Sequence, residues 1–105
     1  MEIPLLRSIP VVGLHFRTTE EKAISQMGEV GDGVILEAEE GNPHDVYAVA
    51  IKVDAGEQVY HIGYLPAMVS PMLSLYLQQG QTLKGEISAV TGAKLFLNVV
   101  LVAEK

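Results

Sequence analysis

The chain has no cysteine and no tryptophan, and it holds only 7 basic residues against 13 acidic ones. Without cysteine it has no disulfides, no thiolate metal sites and no thiol chemistry. Its formal net charge of −6 argues against broad non-specific binding to nucleic acid, because such binding is mostly phosphate neutralisation. Residues 1–40 hold eight carboxylates and three bases, whereas residues 41–105 hold five and four. The excess negative charge therefore lies mainly in the first forty residues.

Long hydrophobic runs are also missing. The longest apolar stretches, such as residues 99–103, are far shorter than the roughly 20 residues that a membrane-spanning helix needs. The first seven residues include an acid and lack the apolar run of a signal peptide. We therefore expect a cytoplasmic protein without membrane contacts. With 105 residues, 49% of them hydrophobic, the chain is long enough for one domain over residues 1–105 with its own core.

Hydrophobic periodicity predicts the order strand, short helix, three strands, helix, two strands. We expect strands at residues 9–16, 33–39, 47–53, 59–65, 83–90 and 95–103, and helices at residues 18–28 and 66–80. The last strand is apolar on both faces, which favours an interior place in the sheet. This order indicates an α+β, mainly β fold: an OB-like, partly closed antiparallel β-barrel of about six strands with two helices.

Local signals refine this assignment at three places. Thr18 and Glu21 have the spacing of a capping box at the start of the first helix. In the second helix, Ser70 and Pro71 indicate a restart with Ser70 as N-cap and Pro71 as first residue, because proline does not fit a regular helix interior. Gly63, inside the fourth strand, marks a bulge or a close approach of another backbone segment.

No enzyme motif is present: the sequence has no G-x-S-x-G elbow, no P-loop and no H-E-x-x-H. His44 and Asp45 are adjacent on a turn, where two neighbouring residues rarely both bind a metal. We therefore expect no catalytic residues, no metal site and no cofactor. His61 is expected to have a structural role on its strand, and Tyr47 and Tyr76 are expected in the core.

Three segments carry the most specific pattern. Residues 12–16 read Val-Gly-Leu-His-Phe, residues 42–45 read Asn-Pro-His-Asp with Ala-Val-Ala at 48–50, and residues 63–66 read Gly-Tyr-Leu-Pro. In this order, from about residue 9 to 102, the chain resembles the HIRAN domain family. The resemblance implies a modified OB-like barrel that acts as a non-catalytic DNA-binding module. Eukaryotic members are fused to SNF2-type helicases, and this chain resembles the stand-alone members of bacteria and phages.

The resemblance also implies a site for the 3′ end of single-stranded DNA, in repair or replication. By position, His15 and Phe16 match the stacking face of the first strand, and Tyr64 matches the aromatic residue or histidine that follows the glycine. Arg17 is the cation nearest to this strand. The physical needs of such a site agree with this assignment, because a strand end requires flat groups for a base and polar partners for the terminus.

The turn supplies the remaining residues that the resemblance implies. Asp45 would accept a hydrogen bond from a 3′-hydroxyl, and its charge would disfavour a phosphate at that position. Asn42 and the backbone amides of the turn would be donors. His44 stands where the family usually has tyrosine, and it offers a smaller stacking platform.

Two alternatives remain open on the residues themselves. Asn42 and Asp45 also suit a turn in which their side chains bind the local backbone. The acidic balance, with residues 66–67 reading Pro-Ala where DNA-binding members tend to have basic residues, also fits a protein-interaction module that keeps the fold without DNA binding. Its partner would be a protein such as a helicase or nuclease. Its site would be an exposed strand edge or the helix of residues 66–80.

Overall fold

The computed structural model describes residues 1–103, except for the side chain of His15. The elements in chain order are β1 (Glu2–Pro10), a 3₁₀ helix (Leu14–Phe16), α1 (Thr19–Gln26), β2 (Gly33–Ala38), β3 (Val49–Asp54), β4 (Val59–Tyr64), α2 (Ser70–Gln78), β5 (Thr82–Thr91) and β6 (Lys94–Val102). The predicted order of strands and helices is confirmed. None of the described helices is both long and apolar enough to span a membrane.

The strands form one antiparallel sheet in the order β1-β6-β5-β2-β3-β4. β6 lies between β1 and β5, as its two apolar faces predict. Within the described residues β1 and β4 form no ladder, and a single bridge joins Val12, two residues after β1, to Tyr64 at the end of β4. Immediately after this bridge Gly13 takes a left-handed φ of 78° and turns the chain away, so the pairing does not extend. The described sheet is therefore not closed, so the expected partly closed barrel is not formed. The mainly β class, the six antiparallel strands and the two helices are confirmed.

The first strand differs most from its prediction. It ends at Pro10, whereas residues 14–16 form a 3₁₀ helix, so Phe16 does not lie on a strand as expected. The capping box of α1 is confirmed: the Glu21 amide donates to Thr18 Oγ1 at 3.1 Å, and the Thr18 amide donates to Glu21 Oε1 at 3.0 Å. In α2 the N-cap is Val69, so Ser70 is the first helical residue and Pro71 still lies in the first turn.

The core lies between the sheet and α2. Leu73 of α2 is fully buried in one cluster with the sheet residues Ile51, Ile62 and Leu97. Tyr76 packs against this cluster half-buried, as expected. Tyr47 is 44% exposed, so its predicted place in the core is wrong; it lies just before β3, where the chain leaves the turn.

Both features predicted for Gly63, a bulge and a close approach of another backbone segment, are confirmed. The register of β4 skips one residue opposite Ile51 and Lys52, which is a bulge. A Cβ at Gly63 would lie 2.7 Å from the Val12 carbonyl oxygen and 2.6 Å from Val11 Cγ1. Because glycine has no Cβ, the segment after β1 can lie directly on β4. This contact places Tyr64 beside Val12, with backbone hydrogen bonds of 2.8 and 2.9 Å in the two directions.

Candidate nucleic-acid interface

In the turn between β2 and β3, side chains stabilise the local backbone by hydrogen bonds. Asn42 Oδ1 accepts hydrogen bonds from the amides of His44 and Asp45 at 2.8 and 3.1 Å. Asp45 Oδ1 in turn accepts the Tyr47 amide at 2.9 Å. All three are bonds between an Asn or Asp side chain and the backbone two or three residues on. The structural alternative for Asn42 and Asp45 is therefore confirmed, and it occupies only one of the two oxygens of Asp45.

Glu39 joins this turn to β4, and the sequence analysis did not single it out. One carboxylate oxygen, Oε1, accepts from Asn42 Nδ2 at 3.1 Å and from the Tyr64 hydroxyl at 2.9 Å. Burial of Tyr64 and its hydrogen bond to Glu39 raise the pKa of the phenol, so Tyr64 remains a protonated donor at neutral pH. Glu39 therefore fixes the position of the Tyr64 ring relative to the turn.

The turn and Tyr64 line two adjoining cavities of about 470 and 330 Å³, which together we name the turn site. Asn42, His44 and Tyr64 line both cavities. The remaining lining residues are Glu39, Gly41 and Pro43 in the first, and Val12, Asp45, Ala48, Leu65 and Ala67 in the second. The site thus combines two flat rings, two carboxylates and an apolar floor.

Four of the seven residues expected to bind nucleic acid meet at the turn site: Asn42, His44, Asp45 and Tyr64. Phe16 lies at the end of the 3₁₀ helix, 80% exposed, and does not line either cavity. Arg17 also lies outside the lining, and the side chain of His15 lies outside the described residues. The fold therefore brings residues 42–45 and Tyr64 together at the turn site, whereas Phe16 and Arg17 lie outside its lining.

Arg17 is held by other groups. Its Nη2 donates to Glu21 Oε2 at 3.0 Å, and its Nε donates to the His61 carbonyl oxygen at 3.0 Å. The hydrogen bond from Arg17 holds the pKa of Glu21 below its ordinary value. Arg17 therefore ties α1 to β4 and is already neutralised by a carboxylate.

His61 has the structural surroundings that were expected. Its Nε2 lies 2.9 Å from the Gly63 carbonyl oxygen, and its ring meets Tyr64 edge-on with centroids 4.7 Å apart. Burial, with a smaller effect of the Arg17 charge, lowers the pKa of His61. At neutral pH, an uncharged His61 therefore packs edge-on against the Tyr64 ring. Within the described part of the chain, no three metal-binding side chains cluster together.

The family model of the HIRAN domain matches residues 7–102 of this sequence. The chain belongs to the HIRAN domain family. A crystal structure of a Lactobacillus plantarum protein superposes with a TM-score of 0.80 at 22% identity, covering 96% of this chain and 95% of that one. The HIRAN domain of human HLTF superposes with a TM-score of 0.69 at 19% identity, covering 95% of this chain and 78% of that one. No protein of curated function matches the sequence.

HIRAN domains are generally DNA-binding, and the turn site of this one has an unusual charge for that role. Two carboxylates, Glu39 and Asp45, line it, and no lysine or arginine does so among the described residues. Because like charges repel, a phosphate held inside this HIRAN site would lie against uncompensated negative charge. The site is therefore better suited to a base and a hydroxyl than to a phosphate.

Proposed function

We propose that this HIRAN domain binds the 3′ end of single-stranded DNA at the turn site, as a non-catalytic module in DNA repair or replication. One observation carries the proposal: Asn42, His44, Asp45 and Tyr64 line the same site, and the chain belongs to a family that is generally DNA-binding.

The two rings provide a stacking surface for a terminal base. His44 and Tyr64 both line each cavity, so a terminal base can be placed against them. Base stacking on a side-chain ring contributes roughly 1–3 kcal/mol per base. Tyr64 is the better of the two platforms, because Glu39 and His61 hold its ring in place.

Asp45 supplies the preference for a free end. Its Oδ1 is used by the Tyr47 amide, whereas Oδ2 has no hydrogen-bond partner among the described residues. This oxygen can accept a hydrogen bond from a 3′-hydroxyl. A terminal phosphate is largely deprotonated at neutral pH, so it is a poor donor to this oxygen, and it would add negative charge beside two carboxylates. The domain is thus expected to prefer a 3′-hydroxyl over a 3′-phosphate.

The test is a fluorescence anisotropy titration at low ionic strength. Two 5′-labelled oligonucleotides of the same sequence carry either a 3′-hydroxyl or a 3′-phosphate. The wild-type protein is expected to bind the hydroxyl form at least tenfold more tightly, since a hydrogen bond to a charged group contributes about 1.5–3 kcal/mol. Equal binding of both forms, or no binding of either, would overturn the proposal.

A matched pair of variants locates the effect. Asp45→Asn keeps the acceptor for the Tyr47 amide but loses the negative charge, so the preference for the hydroxyl should shrink. Asp54→Asn is the control, because Asp54 makes the same type of bond, to the Gly56 amide at 2.9 Å, in the turn after β3. Asp54→Asn should keep the wild-type preference. A loss of preference in both variants would show that overall charge, and not Asp45, decides it.

A protein-interaction role is the second candidate, and one observation favours it. Met72 and Leu75 expose apolar side chains on one face of α2, three residues apart, and Met68 exposes another in the turn just before the helix. Met68 is 93% exposed. Sedimentation velocity of the wild type and of Met72→Glu tests self-association through this face. A monomeric wild-type protein that binds oligonucleotides would remove this candidate.

A further inference from the structure

The turn site does not account for how the phosphates of a bound DNA strand would be held. Its lining has two carboxylates and, among the described residues, no cation. A DNA strand carries one phosphate for each nucleotide, and most of its affinity for proteins comes from neutralising these charges. If an end lies in the turn site, the cations must lie beside the site and within reach of the neighbouring nucleotides.

Three of the six described lysine and arginine side chains are already paired. Arg17 binds Glu21 at 3.0 Å, Lys52 binds Glu37 at 2.9 Å, and Lys84 approaches Glu2 at 3.5 Å. Among the described residues, three cations form no ion pair: Arg7, Lys22 and Lys94. Arg7 lies on the edge strand β1, whereas Lys22 and Lys94 come from distant parts of the sequence and line the same cleft.

This cleft has a volume of about 430 Å³. One wall is the segment from Val11 to Leu14, and the opposite wall is the face of α1 that carries Lys22, Ser25 and Gln26. Ser25 and Gln26 follow Lys22 by three and four residues, so all three lie on one side of α1. The turn between β5 and β6 closes the cleft with Ala93 and Lys94, and no carboxylate belongs to its described lining.

The cleft adjoins the turn site. Val12 lines both, and its position is fixed by the backbone bridge to Tyr64. A strand that leaves the turn site across Val12 therefore enters a space with apolar walls and two unpaired ammonium groups. The apolar walls suit a sugar or a base, and the ammonium groups suit the phosphates.

We infer that Lys22 and Lys94 bind the backbone phosphates of the nucleotides that precede a 3′ end held in the turn site. This inference rests on the proposed function and names the part of the domain that supplies its positive charge. For a single strand, each neutralised phosphate contributes about 0.7 to the slope of log affinity against log salt. Two lysines thus account for a slope of about 1.4.

The experiment measures affinity for one 3′-hydroxyl oligonucleotide over a series of salt concentrations. The double variant Lys22→Gln/Lys94→Gln should bind more weakly at low salt, with the slope reduced by about 1.4. The control Lys52→Gln/Lys84→Gln removes the same charge from two paired lysines, and it should keep the wild-type slope. Lys22→Arg/Lys94→Arg keeps the charge and should restore the slope.

The outcomes separate this inference from the proposed function. If the wild type prefers a 3′-hydroxyl but the Lys22→Gln/Lys94→Gln variant keeps the wild-type slope, the cleft does not bind phosphates and only this inference fails. If both double variants lower the slope equally, net charge is responsible and the inference also fails. If the wild type binds no oligonucleotide, both proposals fail together. Thermal unfolding followed by circular dichroism checks that each variant is folded.

Discussion

Replacing Gly63 by alanine is the most informative perturbation of the fold, because Gly63 permits the contact that shapes the turn site. The new Cβ would lie 2.7 Å from the Val12 carbonyl oxygen and 2.6 Å from Val11 Cγ1. Val11 is a buried, β-branched residue of the core, and the Val12 carbonyl belongs to a backbone segment that is hydrogen-bonded to Tyr64 in both directions. Val12 and Tyr64 must therefore move apart.

The cost follows from two effects. Forcing an extra methyl group into a packed position costs about 1–3 kcal/mol. The separation also weakens the two backbone hydrogen bonds between Val12 and Tyr64, of 2.8 and 2.9 Å, each of which contributes about 0.5–1.5 kcal/mol. We expect Gly63→Ala to lower the free energy of unfolding by about 2–4 kcal/mol.

Urea unfolding followed by far-ultraviolet circular dichroism measures this change, since the chain has no tryptophan. Gly41→Ala is the matched control: its Cβ would meet nothing within 4 Å, and its backbone does not need a positive φ. The control should differ from the wild type by less than about 0.5 kcal/mol. A Gly63→Ala protein as stable as the control would refute the argument that this close approach constrains the fold.

Three further predictions concern the core, the first helix and the effect of pH. Leu73→Ala should lower the free energy of unfolding by about 2–5 kcal/mol, because Leu73 is fully buried. The control Met68→Ala, at a position that is 93% exposed, should change it little. Equal effects of the two substitutions would contradict the assigned burial. Thr18→Ala removes the N-cap bond of α1 and should cost about 0.5–2 kcal/mol in the same urea assay. The folded pKa of His61 lies below its ordinary value of 6.5, so as pH falls through that value the unfolded chain binds a proton that the folded chain does not. The melting temperature should therefore fall as the pH is lowered from about 7 to 5. His61→Asn should reduce this dependence of melting temperature on pH, and an unchanged dependence would exclude His61 as its source.

The features predicted well from sequence are those that local chemistry determines. Thr18 and Glu21 form their capping box within a single turn of chain, so the spacing of the two residues is sufficient to predict it. The turn of residues 42–45 follows from Asn42, whose side chain binds amides two and three residues further on. Gly63 was identified because a glycine inside a strand is costly unless something approaches it closely.

The start of the sheet was missed because its pattern is irregular. β1 begins at Glu2, yet its register to β6 shifts twice, between Pro4 and Leu6 and between Leu6 and Ile9. Ser8 in this strand has a positive φ of 49°. Each shift breaks the alternation of apolar and polar residues from which strands are predicted. The strand predicted for residues 9–16 therefore shares only residues 9 and 10 with β1, and it wrongly continues through Gly13.

The candidate site was predicted only where short sequence motifs carry it. Residues 42–45 and Tyr64 follow from the pattern, and the fold brings them together. Glu39 was not predicted, because its bonds to Asn42 and Tyr64 exist only after β2 and β4 are placed on either side of β3. Lys22 and Lys94 are 72 positions apart in the numbering, and only the tertiary fold places them in one cleft.

The central claim is that this HIRAN domain holds a DNA end at the turn site, and amide chemical shifts test it most directly. The experiment titrates ¹⁵N-labelled protein with a short 3′-hydroxyl oligonucleotide and follows each backbone amide. The account predicts the largest shifts at Asn42, Asp45, Tyr64 and Ala67, which line or border the site. Shifts confined to the exposed face of α2 at Met72 and its neighbours, or no shifts at all, would contradict it.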